Sequence, residues 1–162
     1  MEITRTMNPS EHERTFTHLD AQGDPGMVDI SPKAVSPRRA VAEARVVFPL
    51  EVLETLRRNG WESAKGGVWQ TAIIAGTQAV KNTSQLIPFC HPLPIDRCRF
   101  DKMDTADGLL VTCEVGVTHK TGVEMEALTG VTVASLTIID MCKALSPDIR
   151  IHEIRLREKS GG

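Results

Sequence analysis

The period of apolar and polar positions changes several times along the chain, and each change marks an element. From Ala40 to Phe48, Ala40, Ala42, Ala44, Val46 and Phe48 alternate with Val41, Glu43, Arg45 and Val47. A period of two predicts a strand. Pro49 then opens PLEVLETLRRNG, in which Leu50, Leu53 and Leu56 share a helical face. Pro suits the first turn of such a helix and Gly60 its stop. After the turn WESAKGG, Val68, Ala72, Ala75 and Ala79 form the stripe of a second helix that runs to about Lys81, small enough to let a neighbour approach closely. TSQLIPFCHPLP packs Pro88, Pro92 and Pro94 into a short span, which predicts a rigid, extended loop. Arg97–Met103 and Leu109–Thr118, joined by the polar DTADG, predict an antiparallel hairpin whose inward face is Leu109, Val111, Cys113, Val115 and Val117. A long apolar helix follows from about Val123 to Lys143, and then a last strand over Ile149–Arg157. In that strand Ile149 and Ile151 are in phase but Ile154 and Leu156 have slipped by one, the mark of a bulge.

The order is strand, helix pair, strand, strand, helix, strand. It matches an α+β, ferredoxin-like β-α-β-β-α-β antiparallel sheet with one extra helix and the helices on one face. Residues 1–37 are rich in Pro, Gly, Ser and His and show no periodicity, so they read as an irregular N-terminal arm before a single domain at 38–162.

Composition narrows the function classes. Of 162 residues, 41% are hydrophobic and 25% charged, the balance of a soluble globular protein. A formal net charge of -2 leaves no basic excess to neutralise a nucleic-acid backbone. No apolar run reaches ~18 residues without a charge, and the start of the chain lacks a signal-peptide core, so no membrane is expected and the chain reads as cytoplasmic. Cys90, Cys98, Cys113 and Cys142 show no paired C-x-x-C spacing, which argues against a zinc ribbon and for reduced thiols; Cys98 and Cys113 could approach each other across the hairpin.

The long helix poses the chemical question. Burying a carboxylate costs several kcal/mol without a partner, yet this apolar stretch carries Glu124 and Glu126 near its start and Asp140 and Lys143 near its end. The two glutamates either complement the helix dipole or serve a site. Asp140 opposes the dipole and neighbours Lys143 three positions on, a pairing in which pKa values are tuned. Glu126 and Asp140 fall on nearly the same face, but the helical rise separates them by ~21 Å. Either there are two sites, or two copies of the chain bring opposite helix ends together at a two-fold interface, which would make a homo-oligomer.

Two further segments carry candidate chemistry. His91 beside Cys90, fixed between Pro88 and Pro92, is a rigid presentation of two reactive side chains. Adjacent side chains diverge, which disfavours a nucleophile–base pair, and no cluster of ligands completes a zinc site. Lys65 before Gly66 and Gly67 at a helix start has the parts of an anion site: backbone donors, a helix dipole and an ammonium.

MVDIS (Met27 to Ser31), LIPFCHPL (Leu86 to Leu93), KTGVEMEALTGV (Lys120 to Val131) and IDMCKA (Ile139 to Ala144) together closely resemble the cyclic pyranopterin monophosphate synthase, or MoaC, family of molybdenum cofactor biosynthesis, in order and with compatible spacing from about Phe16 to Gly162. The resemblance implies a lyase that turns 3′,8-cyclo-7,8-dihydroguanosine 5′-triphosphate, a GTP-derived small molecule, into cyclic pyranopterin monophosphate with release of pyrophosphate. It also implies a ferredoxin-like fold assembled as a homohexamer, a trimer of dimers, with active sites at the dimer interface. By motif position it makes Asp140, Lys143 and Lys65 catalytic, and Phe89, Cys90, His91, Glu124, Met125, Glu126, Arg38 and Lys159 substrate-binding; no metal and no cofactor are implied. Lys120 joins Arg38, His91 and Lys159 as a candidate clamp on the phosphates. The chain departs from the family at Gly67, where aspartate is usual, at Ile73 for arginine, at Ile139 for tyrosine and at Phe89 for leucine. Against this stand a non-catalytic binding module, which would not require the Asp140–Lys143 pair, a hydrolase using Cys90, which lacks a positioned base, and a purely structural oligomer, which leaves the charged helix ends unexplained.

Overall fold

The structure, a computed structural model, describes residues 23–161. Most of the arm, residues 1–22, lies outside the described residues. The first strand, β1 (Ser36–Val47), starts ahead of the predicted Ala40 and takes the last two residues of the expected arm into the sheet. α1 (Leu50–Arg58) follows, then a short hairpin of β2 (Glu62–Ser63) and β3 (Gly66–Gly67), α2 (Val68–Lys81), the single turn α3 (Thr83–Leu86), β4 (Arg97–Thr105), β5 (Gly108–His119), α4 (Glu124–Cys142) and β6 (Arg150–Ser160). The four long strands form one sheet in the order β4-β5-β1-β6, with every neighbouring pair antiparallel. This is the ferredoxin-like α+β arrangement.

The alternation in β1 and β5 places the core. Ala40, Ala42, Ala44 and Val46 lie beside Val111, Cys113, Val115 and Val117, all buried, under Ala127, Val131, Ala134 and Ile138 of α4. Alanine on the strand lets the helix sit close. Where α2 meets α4, glycine does the same work: a Cβ on Gly76 would stand 3.0 Å from the Gly130 carbonyl, and one on Gly130 would stand 2.9 Å from Cys113 Sγ. α4 is long and apolar enough to cross a bilayer by length and composition alone, but here it packs on β1, β5, β6 and α2. The opposite face of the sheet is a lattice of ion pairs, with Arg39 bonded to Glu114 at 2.7 Å and Arg155 Nε to the buried Glu43 at 2.7 Å.

Several expectations need correction. Leu50 does not join the buried face of α1 but is 67% exposed; Val52 packs with Leu53 and Leu56 instead, because the core lies on the side of the helix that position 52 shares. The turn WESAKGG contains the β2–β3 hairpin, and the loop after α2 begins with the turn α3, both too short for periodicity to register. Register shifts in the β1–β6 ladder fall at two places rather than one. His152 and Arg157 are passed over, and the first accounts for the phase slip between Ile151 and Ile154. Ile154 and Leu156 pair with Ala44 and Ala42 on the helix side but stay 40% and 36% exposed, because β6 is the sheet edge and the helices cover it only partly.

Candidate active site

α4 runs for 19 residues, about 28 Å at 1.5 Å per residue, and a charged cleft lies at each end. At its N-terminal end a cavity of ≈ 580 Å³ is lined by Phe89, Cys90, His91, Glu124, Met125 and Glu126, six of the residues singled out in the sequence, together with Val28, Ile30, Lys33, Leu93, Thr121 and Gly122. In the turn before α4 the Glu124 carboxylate folds back over Gly122 and occupies the space a Cβ there would take. Glu126 is buried, and burial holds its carboxyl above the usual range, opposed by a backbone hydrogen bond and helped by the charge of Glu124. Burial likewise pushes up the Cys90 thiol, with the Glu126 charge adding to it. A thiol kept protonated is a poor nucleophile.

Lys33 lines this cleft beside His91, and Arg38, Lys120 and Lys159 lie on segments next to it but are already engaged. Arg38 donates to the carbonyls of His119 (3.2 Å) and Lys120 (3.3 Å). Lys159, on β6 opposite Ala40, pairs with Glu124 at 3.1 Å. Lys120 donates to the Ser31 carbonyl at 2.7 Å, which pins the segment 27–33 beside the cleft instead of leaving that ammonium for a ligand. Lys33 has no side-chain partner among the described residues. The sequence reading missed Lys33 and its neighbours Val28 and Ile30; the available signal was the MVDIS motif, which marked the segment without showing that it lines a cavity.

The cleft at the other end, ≈ 520 Å³, brings together Lys65, Asp140 and Lys143 over an apolar floor of Leu56, Met141 and Leu145. Lys65 rides on the β2–β3 hairpin, in which Ser63 pairs with Gly66 and its hydroxyl donates to the Gly66 carbonyl and accepts from Lys65 N–H. Gly66 adopts a φ of 106°, a conformation that side chains resist, so the turn after Lys65 requires glycine. Lys65 Nζ lies 2.9 Å from Asp140 Oδ2 and Lys143 Nζ lies 2.7 Å from Asp140 Oδ1. The two ammonium groups, Lys143 first and then Lys65, pull the Asp140 carboxyl down to about 2. The Asp140 side chain is 52% exposed, because it faces away from the core while its neighbours Met141 and Cys142 turn inward and are buried. Gly67 leads directly into α2, and the space a side chain would fill there is taken by Gln70.

Within one chain the two groups of residues stay apart. Among the described residues no three His, Cys, Asp or Glu side chains gather as metal ligands would. Fold and site together define a small α+β enzyme with ionisable groups mounted at both ends of one core helix. Residues 27–162 match the MoaC family, and the chain belongs to it. It is 59% identical over 149 residues to the cyclic pyranopterin monophosphate synthase of Xanthomonas campestris pv. campestris (strain B100), covering 91% of this chain and 90% of that protein. It is 55% identical over 157 residues to the enzyme of the same name from Xanthomonas axonopodis pv. citri (strain 306), covering 96% and 95%. With cyclic pyranopterin monophosphate synthase 3 of Mycobacterium bovis the identity is 47% over 154 residues, covering 94% and 86%.

Proposed function

We propose that this chain is a cyclic pyranopterin monophosphate synthase of molybdenum cofactor biosynthesis, a phosphorus–oxygen lyase acting on 3′,8-cyclo-7,8-dihydroguanosine 5′-triphosphate. The observation that carries the reading is the pair of clefts at opposite ends of α4, one holding Glu126, His91 and a Lys33 whose side chain has no partner among the described residues, the other a carboxylate between two ammonium groups. Each is half of a site for a polyanionic substrate. A second copy, related by a two-fold axis, sets the Asp140 end of one helix against the Glu126 end of the other. The assembly is then a homo-oligomer, a hexamer built as a trimer of dimers. The four free thiols fit a reducing compartment, and we place the enzyme in the cytoplasm.

The residues suit the chemistry. A sugar hydroxyl attacks the innermost phosphorus, an O–P bond forms, the bond to the outer two phosphates breaks, and pyrophosphate leaves while the hydroxyl proton passes to a base. Lys33, His91, Arg38 and Lys159 balance charge on the phosphate oxygens. Asp140 is ionised and weakly basic for as long as both lysines hold it. When the substrate's phosphates draw those ammonium groups away, the cause of the low pKa goes with them and Asp140 becomes a competent base, with Lys65 and Lys143 as proton donors to the ring being opened and rebuilt. Glu126, buried and raised, is fitted to carry a proton at the other face of the substrate. Phe89 and Met125 supply apolar contact for the pterin ring, both being large and exposed at the cleft.

The test is direct. The purified protein, incubated with the cyclic GTP-derived triphosphate, releases pyrophosphate and forms the cyclic monophosphate in equal amounts. Tight binding without pyrophosphate release would make the chain a binding module and overturn the enzyme reading.

A further inference from the structure

Lys65 is held in an unusual way. It sits at the turn of a hairpin whose strands are two residues each, and so short a hairpin is marginal without outside support. The support comes from the residues that bracket it. Trp61, just before β2, donates its backbone N–H to Leu56 O at 2.8 Å and accepts from Val68 N–H at 3.0 Å, which closes the base of the hairpin. It does so at a φ of 60°, a left-handed conformation that a bulky residue adopts only when its surroundings hold it there. Its ring is 8% exposed and meets the Phe48 ring edge-on at 5.5 Å. Trp69, two residues past β3, lies in the first turn of α2. Between the two indoles lies a single cation: Lys102 Nζ, on β4, is 5.2 Å from the Trp61 ring centroid and 5.8 Å from that of Trp69. No carboxylate pairs with this ammonium among the described residues. Its engagement is with the two aromatic faces, the arrangement in which an indole attracts a cation most strongly.

We propose that Lys102, clasped by Trp61 and Trp69, is a positioning residue that ties both ends of the β2–β3 hairpin to the sheet and so aims Lys65 into the cleft it shares with Asp140 and Lys143. Among the described residues Lys102 engages the two indoles and no reacting residue of either cleft, so it acts through Lys65, and the proposal rests on the role given to Lys65 above. The clasp links the hairpin to β4, the opposite edge of the sheet from β6. A hairpin free to swing would spread Lys65 over many positions, and misplacement by about 1 Å is enough to cost ~100-fold in rate.

The chain's two tryptophans are the two that clasp Lys102, so intrinsic fluorescence reads the clasp alone. Lys102→Met, which keeps the length of the side chain and removes the charge, is expected to change tryptophan emission, to speed amide hydrogen exchange in residues 62–67 while leaving α4 protected, and to lower kcat by about tenfold, the order of two part-buried cation–π contacts, with KM little altered. Lys102→Arg restores the cation and is expected to restore exchange and kcat. Should Lys102→Met fail to fold, Lys102→Gln gives the same comparison. Unchanged exchange in 62–67, or a loss in kcat that Lys102→Arg does not rescue, overturns the proposal and leaves the reading of the site standing. Lys65→Ala, measured alongside, isolates the other failure: full activity in that variant removes Lys65 from the site and with it the purpose of the clasp.

Discussion

If each active site takes one cleft from each of two chains, two inactive variants should repair one another when mixed. His91→Ala damages the cleft at the N-terminal end of α4 and Asp140→Asn the cleft at its C-terminal end, and the ~28 Å of helix between them is longer than one nucleotide-sized substrate bridges while its reacting atoms touch both. Each variant alone is expected to lose roughly 100-fold or more in kcat. In a dimer made of one chain of each kind, one site collects both lesions and the other collects none. Random pairing at equal expression makes about half the dimers mixed, with one sound site in each, so about a quarter of wild-type activity returns. The assay is pyrophosphate release from the co-expressed pair, with native mass spectrometry to verify mixed oligomers. The control uses lesions in the same cleft: Asp140→Asn with Lys143→Ala leaves every site damaged and recovers nothing. If mixed oligomers form and the His91→Ala, Asp140→Asn pair stays at the parental level, each chain works with its own residues and the shared-site reasoning is wrong.

Three further outcomes are expected. Asp140→Asn alone should reduce kcat by about 10²–10⁴-fold with an unchanged thermal melt, because the side chain is half exposed, and adding Lys143→Ala should cost little more since the pair acts as a unit; near-full activity would make these charges structural. Cys90→Ser should keep most activity, the thiol being held protonated by burial, and a covalent adduct at Cys90 trapped during turnover would refute this. Glu126 has its pKa raised, so its contribution to stability is present below the ordinary carboxyl value and is lost as pH rises through the folded-state value. Glu126→Gln should therefore stabilise the fold at neutral pH in urea unfolding, with the gain vanishing in acid, while activity falls; a gain that persists below pH ~4 would mean burial is not what perturbs this group.

What the sequence made legible was whatever repeats. Alternation in β1 and β5 marks the buried face because a strand with one face in the core must alternate, and the 3.6-residue stripe of α2 does the same at Val68, Ala72 and Ala79, though Gly76 and Val80 rather than Ala75 complete the buried face. α4 gave no such stripe, being apolar nearly all round, and was read instead from its length and from the charges at its ends. The failures fall where nothing repeats. A hairpin of two-residue strands and a one-turn helix have no period to detect, and Leu50 was placed inside by a stripe that Val52 shifts by half a turn. The second bulge, at Arg157, displaces only exposed side chains and so leaves no trace in the pattern.

The site was legible as a set of residue types and opaque as an arrangement, for a reason that Lys120 and Lys33 make plain. Both are lysines in polar segments near the same cleft, and the sequence alone does not say which of them is left for a ligand. The fold separates them: Lys120 is spent on the Ser31 carbonyl at 2.7 Å, and by holding that strand of backbone it delivers Val28, Ile30 and Lys33 to the cavity wall. Asp140 repeats the lesson with the opposite sign. Its sequence surroundings are apolar and set no direction for its pKa, whereas the structure gives a carboxyl lowered by two ammonium groups, one of them seventy-five residues away on the β2–β3 hairpin. The direction of a pKa shift depends on partners in space. Under the mechanism proposed above, Asp140 regains ordinary carboxylate basicity as the substrate's phosphates draw those ammonium groups away.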